Sequence, residues 1–167
     1  MIYKNKDGEV LHVELSSRKG KFVIPSRIDD YKCSEIESKD FIDFVKLTDV
    51  KIPEGVTSIE EFAFCGCSSL TSVNLENGLY FIECNAFDGC ASLANINIPD
   101  GVACISAYAF RGCSSLTSIT IPESVIYIGE FAFKGCANLN VTINSSERNV
   151  HITPNTFDGC KSVTWLK

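Results

Sequence analysis

Basic side chains are missing from the middle of this chain. No Lys or Arg occurs between Ile52 and Phe110, and residues 52–167 carry five basic against eleven acidic side chains, which accounts for the whole net charge of −6. Nucleic-acid affinity depends on Lys and Arg displacing counterions from phosphates, so no nucleic-acid partner is expected. Histidine is also scarce: His12 and His151 stand near opposite ends of the sequence, too far apart in the order of units described below for a Cys–His or Ser–His–Asp relay. No apolar run approaches the roughly 20 residues of a membrane-spanning helix, so no membrane insertion is expected. The charged opening from Met1 to Val10 lacks the apolar stretch of a signal peptide. The length of 167 residues suits one domain with a substantial core, and is too short for an enzyme with a separate cofactor module.

Cysteine, in contrast, is plentiful, with nine residues in all. Five of them, Cys67, Cys90, Cys113, Cys136 and Cys160, follow one another at intervals of 23, 23, 23 and 24, each closing a Phe-x-Gly-Cys tetrapeptide. Around them runs one apolar frame: Val56, Ile59, Ala63, Phe64, Leu70, Val73 and Leu75 in one unit, and Val102, Ile105, Ala109, Phe110, Leu116, Ile119 and Ile121 in another. Self-similarity at such a period is the mark of a solenoid. Within each unit, Leu70-x-x-Val73-x-Leu75 and its equivalents alternate as a short strand with Ser72 and Asn74 facing out. Pro53, Pro99 and Pro122 end three of these strands, since proline offers no N–H to a ladder. The other half, such as Val56 to Phe64, is too short for a stable free helix and is expected as a second short strand or a single helical turn.

The irregular start obeys the same frame. Phe41, Phe44, Leu47, Val50 and Ile52 take the places of Phe64, Cys67, Leu70, Val73 and Leu75, while Ile24-Pro25 lies 28 residues before Ile52-Pro53, five more than the period. This gives six repeats over residues 24–167 (24–51, 52–74, 75–97, 98–120, 121–143 and 144–167) as one continuous domain. Residues 1–23 are expected to form an N-terminal cap, a β-meander of Ile2–Lys4, Glu9–Leu15 and Lys21–Ile24 that covers the first coil. The last unit stops inside its own strand, at Val163-Thr164-Trp165-Leu166-Lys167, so further repeats or a second copy are expected to cover it.

The unit Ile-Pro-x-x-Val-x-x-Ile-x-x-x-Ala-Phe-x-Gly-Cys-x-Ser-Leu-x-x-Ile resembles the repeat of BspA-like proteins, the Treponema pallidum type of leucine-rich repeat, over residues 24–167. The resemblance implies a strand-dominated, right-handed leucine-rich-repeat solenoid of the β-rich α/β class, with a concave parallel sheet and short turns on the outer side. It also implies a non-enzymatic protein-interaction module, since many members are surface proteins that bind host matrix proteins or other cells. A cell-surface or secreted setting follows from the same resemblance. The sequons Asn140-Val-Thr142 and Asn144-Ser-Ser146 add little, because such triplets arise readily by chance.

Placed on the frame, Cys67, Cys90, Cys113, Cys136 and Cys160 form one inward column with neighbours roughly 5 Å apart. They are expected to stay reduced and to serve the buried turn as small, weakly hydrogen-bonding hydrophobes. Cys33 replaces a core Val, which leaves Cys65, Cys84 and Cys104 as candidates for exposure. Cys65-Gly-Cys67 is not the paired C-x-x-C of a zinc site, so no metal and no cofactor is expected. A catalytic thiol at Cys84 or Cys104 would need a depressed pKa, and no flanking base supplies one. Glu54, Asp100 and Glu123 read as a solvated acidic edge.

Two surfaces remain as binding candidates. The concave strand faces carry Asp49, Lys51, Ser72, Asn74, Asn95, Asn97, Ser118, Thr120, Asn140 and Thr142, with Trp165 extending the face at the open end. On the outer side, the two columns between inward residues would form an aromatic strip of Tyr80, Phe81, Cys104, Ile126 and Tyr127, provided both point outward. Such a patch commonly marks a protein contact. The alternative to partner binding is self-association as a homodimer, through this strip or through the open C-terminal coil.

Overall fold

Apolar residues that recur every 23 positions can all be buried only if each unit closes into a coil and stacks on the next. The computed structural model describes residues 2–4, 10–12, 19–28 and 31–166, and among them it forms a solenoid of parallel strands with no helix. Two ladders run along it. The outer ladder joins Tyr31–Ile36, Ser58–Ile59, Phe81–Ile82, Cys104–Ile105, Tyr127–Ile128 and His151–Ile152, with Ile36, Ile59, Ile82, Ile105, Ile128 and Ile152 in register. The concave ladder joins Lys19–Val23, Lys46–Ile52, Ser72–Leu75 and Asn95–Ile96, then resumes with Ser118–Ile121, Asn140–Ile143 and Ser162–Trp165. Between Asn95–Ile96 and Ser118–Ile121 the strands lie side by side without ladder pairing, so the concave sheet is interrupted at its centre.

The space between the ladders is filled by residues of the frame. Phe41, Phe64, Phe87, Phe110, Phe133 and Phe157 stack ring on ring along the axis, with centroids 4.7 to 5.7 Å apart. Leu70, Leu93, Leu116 and Leu139 are fully buried beside them. The half-unit expected as a strand or a helical turn is a two-residue strand followed by a turn. That turn is unusual, because Lys39, Phe62, Asn85, Tyr108, Phe131 and Asn155 hold φ between 56° and 68° in successive coils. Side chains with a Cβ avoid this left-handed region. Here the cost is offset by bonds from coil to coil: the N–H groups of Phe62 and Tyr108 donate to the carbonyls of Cys84 and Glu130, each at 3.0 Å.

Three local details differ from the expectation. First, the N-terminal meander is divided between the two ladders. Ile2–Lys4 and Val10–His12 add antiparallel to the outer ladder, whereas Lys19–Val23 pairs in parallel with Lys46–Ile52. The reason is in the frame, since Phe22 and Ile24 hold the places of Val50 and Ile52 one coil earlier. The rest of the expected strand Glu9–Leu15 lies outside the described residues. Second, in the longer first repeat Arg27–Ile28 pairs antiparallel with Tyr31–Ile36. Third, Trp165 is not a concave-face residue. The last strand pairs Ser162, Val163, Thr164 and Trp165 with Asn140, Val141, Thr142 and Ile143, so Trp165 continues the inward column of Ile143 and packs partly against the core. The preceding turn is short, and the strand begins three residues sooner after Cys160 than Ser72, Asn95 and Ser118 begin after Cys67, Cys90 and Cys113.

Candidate functional site

The cysteine column serves the turn. Each Sγ–H donates across a coil boundary to a phenylalanine carbonyl: Cys67 to Phe41 at 3.0 Å, Cys90 to Phe64 at 3.2 Å, Cys113 to Phe87 at 3.3 Å, Cys136 to Phe110 at 3.2 Å and Cys160 to Phe133 at 3.5 Å. Burial pushes the thiols of Cys67 and Cys136 up to about 12 and that of Cys33 up to about 11. Neutral, buried and already donating, they are poor nucleophiles. Burial also raises Cys65 and Cys104, which are half-buried, as is Cys84. Depression would be needed for a reactive thiol at Cys104, and its shift runs the other way. No group of three His, Cys, Asp or Glu is placed to hold a metal among the described residues.

On the concave face the two ends are occupied by internal bonds. Asp49 accepts from Ser72 Oγ at 2.7 Å and from Thr48 Oγ1 at 2.8 Å, and these bonds hold its carboxyl below the usual range. Lys51 pairs with Glu76 at 3.0 Å, and Asn140 Oδ1 accepts from Ser162 Oγ at 2.8 Å. At the centre, Asn95, Asn97, Ser118 and Thr120 are exposed and make no side-chain hydrogen bond to the described residues. With Ser72 and Asn74 they line an open groove of about 450 Å³, floored by Val73, Ile96 and Ile119, at the interruption of the sheet. Its chemistry is that of neutral amides and hydroxyls.

The outer strip has a different character. Phe81, Cys104 and Tyr127 occupy one register position, between Ser58 at one end and His151 at the other. Tyr80 and Ile126 lie in the adjoining column, where the Ala103 N–H donates to the Tyr80 carbonyl and the Ile126 N–H to the Ala103 carbonyl. Both columns point outward at the aromatic positions, with Tyr80 53%, Phe81 41% and Ile126 62% exposed, while Tyr127 and Cys104 are half-buried. Ser58, at the end of the first column, is buried. The Tyr80 and Phe81 rings meet edge to face at 5.2 Å, and Tyr127 stacks on His151 at 5.7 Å.

Another aromatic column was not singled out in the sequence reading. The left-handed turn positions bring Tyr108 and Phe131 into a stack at 5.4 Å, with the Arg111 guanidinium 5.0 Å above Tyr108 and the Lys134 ammonium 4.5 Å above Phe131. Arg111 also grips the Asp88 carboxylate through Nε and Nη2. The signal was available, because Phe62, Tyr108 and Phe131 all precede Ala-Phe at the common period.

Comparison with known proteins follows the same lines. The family model described as the BspA type leucine-rich repeat region matches residues 34–164 in six copies. Among solved structures, a T. pallidum leucine-rich-repeat protein superposes with a TM-score of 0.80 at 29% identity, over 99% of this chain and 82% of its own. A leucine-rich cell surface protein of Faecalibacterium prausnitzii gives 0.80 at 25% identity, over 98% of this chain and 48% of its own. The pneumococcal vaccine antigen PcpA gives 0.67 at 18% identity, over 99% of this chain and 48% of its own, a likeness of fold. No curated protein matches the sequence.

Proposed function

The chain belongs to the BspA-type leucine-rich-repeat family, and from that premise we propose that it is a non-enzymatic protein-recognition module, acting in adhesion or partner recognition at a cell surface through its outer aromatic strip. One observation carries this reading. Of the large apolar side chains open to solvent among the described residues, Tyr80, Phe81 and Ile126 cluster on the outer ladder and the column beside it, while Val23, Val45, Val163 and Leu166 lie outside residues 46–162. A solenoid with some forty buried apolar residues has no packing need to leave these three in water, and clustered exposure of this kind marks contact surfaces. Support for the setting comes from the F. prausnitzii relative, itself described as a cell surface protein.

The test is a pull-down from the source organism and its host with the tagged chain and with Phe81→Ser/Tyr127→Ser. Loss of the captured partners in the double variant is expected. Partners that survive it, but are lost with Asn95→Ala/Asn97→Ala, would move the contact to the concave groove and overturn the assignment.

A second reading, self-association, is favoured by the last described coil, where Val163 is 38% and Leu166 60% exposed and Trp165 and Phe157 are only partly buried. Light scattering over a concentration series would show a dimer; a monomer at every concentration would remove this reading.

A further inference from the structure

The proposed contact strip has carboxylates on both flanks, and the Lys32 side chain comes beside Gly55 only at the first coil, next to Glu54. Glu60 and Glu83 directly follow the inward residues Ile59 and Ile82 of the outer ladder, and Glu61 and Glu130 stand one place further along the chain. On the opposite flank lie the exposed Glu54, Asp100 and Glu123. Glu60, Glu61, Glu83 and Glu130 take part in no ion pair among the described residues. The stretch from Ile52 to Phe110 supplies no basic side chain, and Arg111 and Lys134 are turned to Asp88, Tyr108, Phe131 and Asp158.

Two of these carboxylates are held in place. Glu60 Oε1 accepts from Ser58 Oγ at 2.6 Å and Glu83 Oε2 accepts from Ser106 Oγ at 3.0 Å. Ser58 stands in the same register column as Phe81, and Ser106 follows the next coil's inward Ile105. The hydroxyls thus fix negative charge at the margin of the aromatic surface. Aromatic faces attract cations through their quadrupole, and a neighbouring carboxylate adds to that attraction. Apolar aromatic area framed by fixed negative charge is complementary to a segment that is both apolar and positively charged.

Resting on the reading of this strip as the contact surface, we infer that its partner presents an extended segment in which Arg or Lys alternates with apolar residues. From the Ser58 strand to the His151 strand the strip crosses four steps of roughly 4.8 Å, about the length of six extended residues. Apolar side chains of the segment lie against Phe81, Ile126 and Tyr127, and its cationic groups reach Glu83 and Glu130. The same charge repels nucleic acid and anionic lipid surfaces.

The test uses the full chain and three fluorescein-labelled peptides of about ten residues. One alternates Leu with Arg, one replaces Arg by Glu, and one replaces Leu by Ser; binding is read by fluorescence anisotropy. The Leu/Arg peptide should bind tightest, and its affinity should fall several-fold between about 50 and about 300 mM salt as the charges are screened. Phe81→Ser/Tyr127→Ser should weaken it by about tenfold, and Glu83→Gln/Glu130→Gln by about threefold to tenfold, while Glu147→Gln, an exposed carboxylate of the last coil, should leave it unchanged. All the substituted side chains are exposed or half-buried, and matching thermal melts would verify that the variants fold.

Equal or tighter binding of the Glu peptide overturns the inference, as does an equal loss from Glu147→Gln. If the strip variant abolishes the pull-down but the Leu/Arg peptide does not bind, the partner chemistry is wrong while the contact surface stands. If the pull-down survives the strip variant, the surface itself is wrong.

Discussion

If the molecule is a stack of coils, truncating one ring of the phenylalanine column should cost an amount set by its place in the stack. Phe110 is 0% exposed and lies between Phe87 and Phe133, each 5.3 Å away, with interplanar angles of 8° and 4°. Phe157 is only partly buried and stacks on Phe133 alone among the described residues, at 5.7 Å. Replacing a fully buried phenylalanine by alanine costs about 3–5 kcal/mol, including about 0.5–1.5 kcal/mol for each ring pair lost. Phe110→Ala should therefore fall in the upper part of that range. At Phe157 one pair is lost, less area returns to water and no sealed cavity remains, so about 1–2 kcal/mol is expected. The gap of about 2–3 kcal/mol corresponds to about 5–10 °C in Tm for a chain of this size. Urea unfolding followed by circular dichroism measures both, and hydrogen exchange should show Phe157→Ala loosening the last coil while the central coils stay protected. Equal losses, or loosening throughout the chain from Phe157→Ala, would refute the nearest-neighbour stack.

Further expectations follow from the packing. A Cβ at Gly129 would lie 2.4 Å from the Ala107 nitrogen and 2.7 Å from the Ser106 carbonyl carbon, so Gly129→Ala should cost about 3 kcal/mol or more. At Gly89 the nearest atom is 3.8 Å away and only its φ of 73° is unfavourable, so Gly89→Ala should cost about 1 kcal/mol; thermal melts compare the two. The raised thiols of Cys67 and Cys136 set an alkaline limit: being neutral when folded, they contribute fully below the ordinary thiol range, and this stability is lost as pH rises towards about 12. The unfolding free energy should thus be insensitive to these thiols from about pH 7 to about 9 and fall above it by about 1.4 kcal/mol per pH unit per buried thiol, with a shallower fall in Cys136→Ala, as urea unfolding across pH would measure. A thiol assay in denaturant without reductant should recover all nine cysteines; a clear deficit would mean that some pair.

Much of this was readable from periodicity. Inward residues at fixed spacing specify which strands neighbour one another, and Ile59, Ile82, Ile105 and Ile128 stand in the register that the period requires. Aromatics outside the frame, Tyr80 and Phe81, had nowhere to go but outward. What the period did not reveal depends on contacts between coils. The left-handed turn at Phe62, Asn85 and Tyr108 opposes local preference and persists because the next coil's carbonyls accept those N–H groups. Trp165 changed face because a shortened turn altered the pairing of the last strand. The interruption between Asn95–Ile96 and Ser118–Ile121 leaves no mark in the frame, whose apolar positions continue through it.

The central claim is that the outer face, rather than the concave one, meets the partner. Photo-crosslinking tests it most directly, with benzoylphenylalanine introduced at Phe81 in one protein and at Asn95 in another, each exposed to the same partner extract. The strip predicts a crosslinked adduct from position 81 and none from position 95; an adduct from position 95 alone would contradict it.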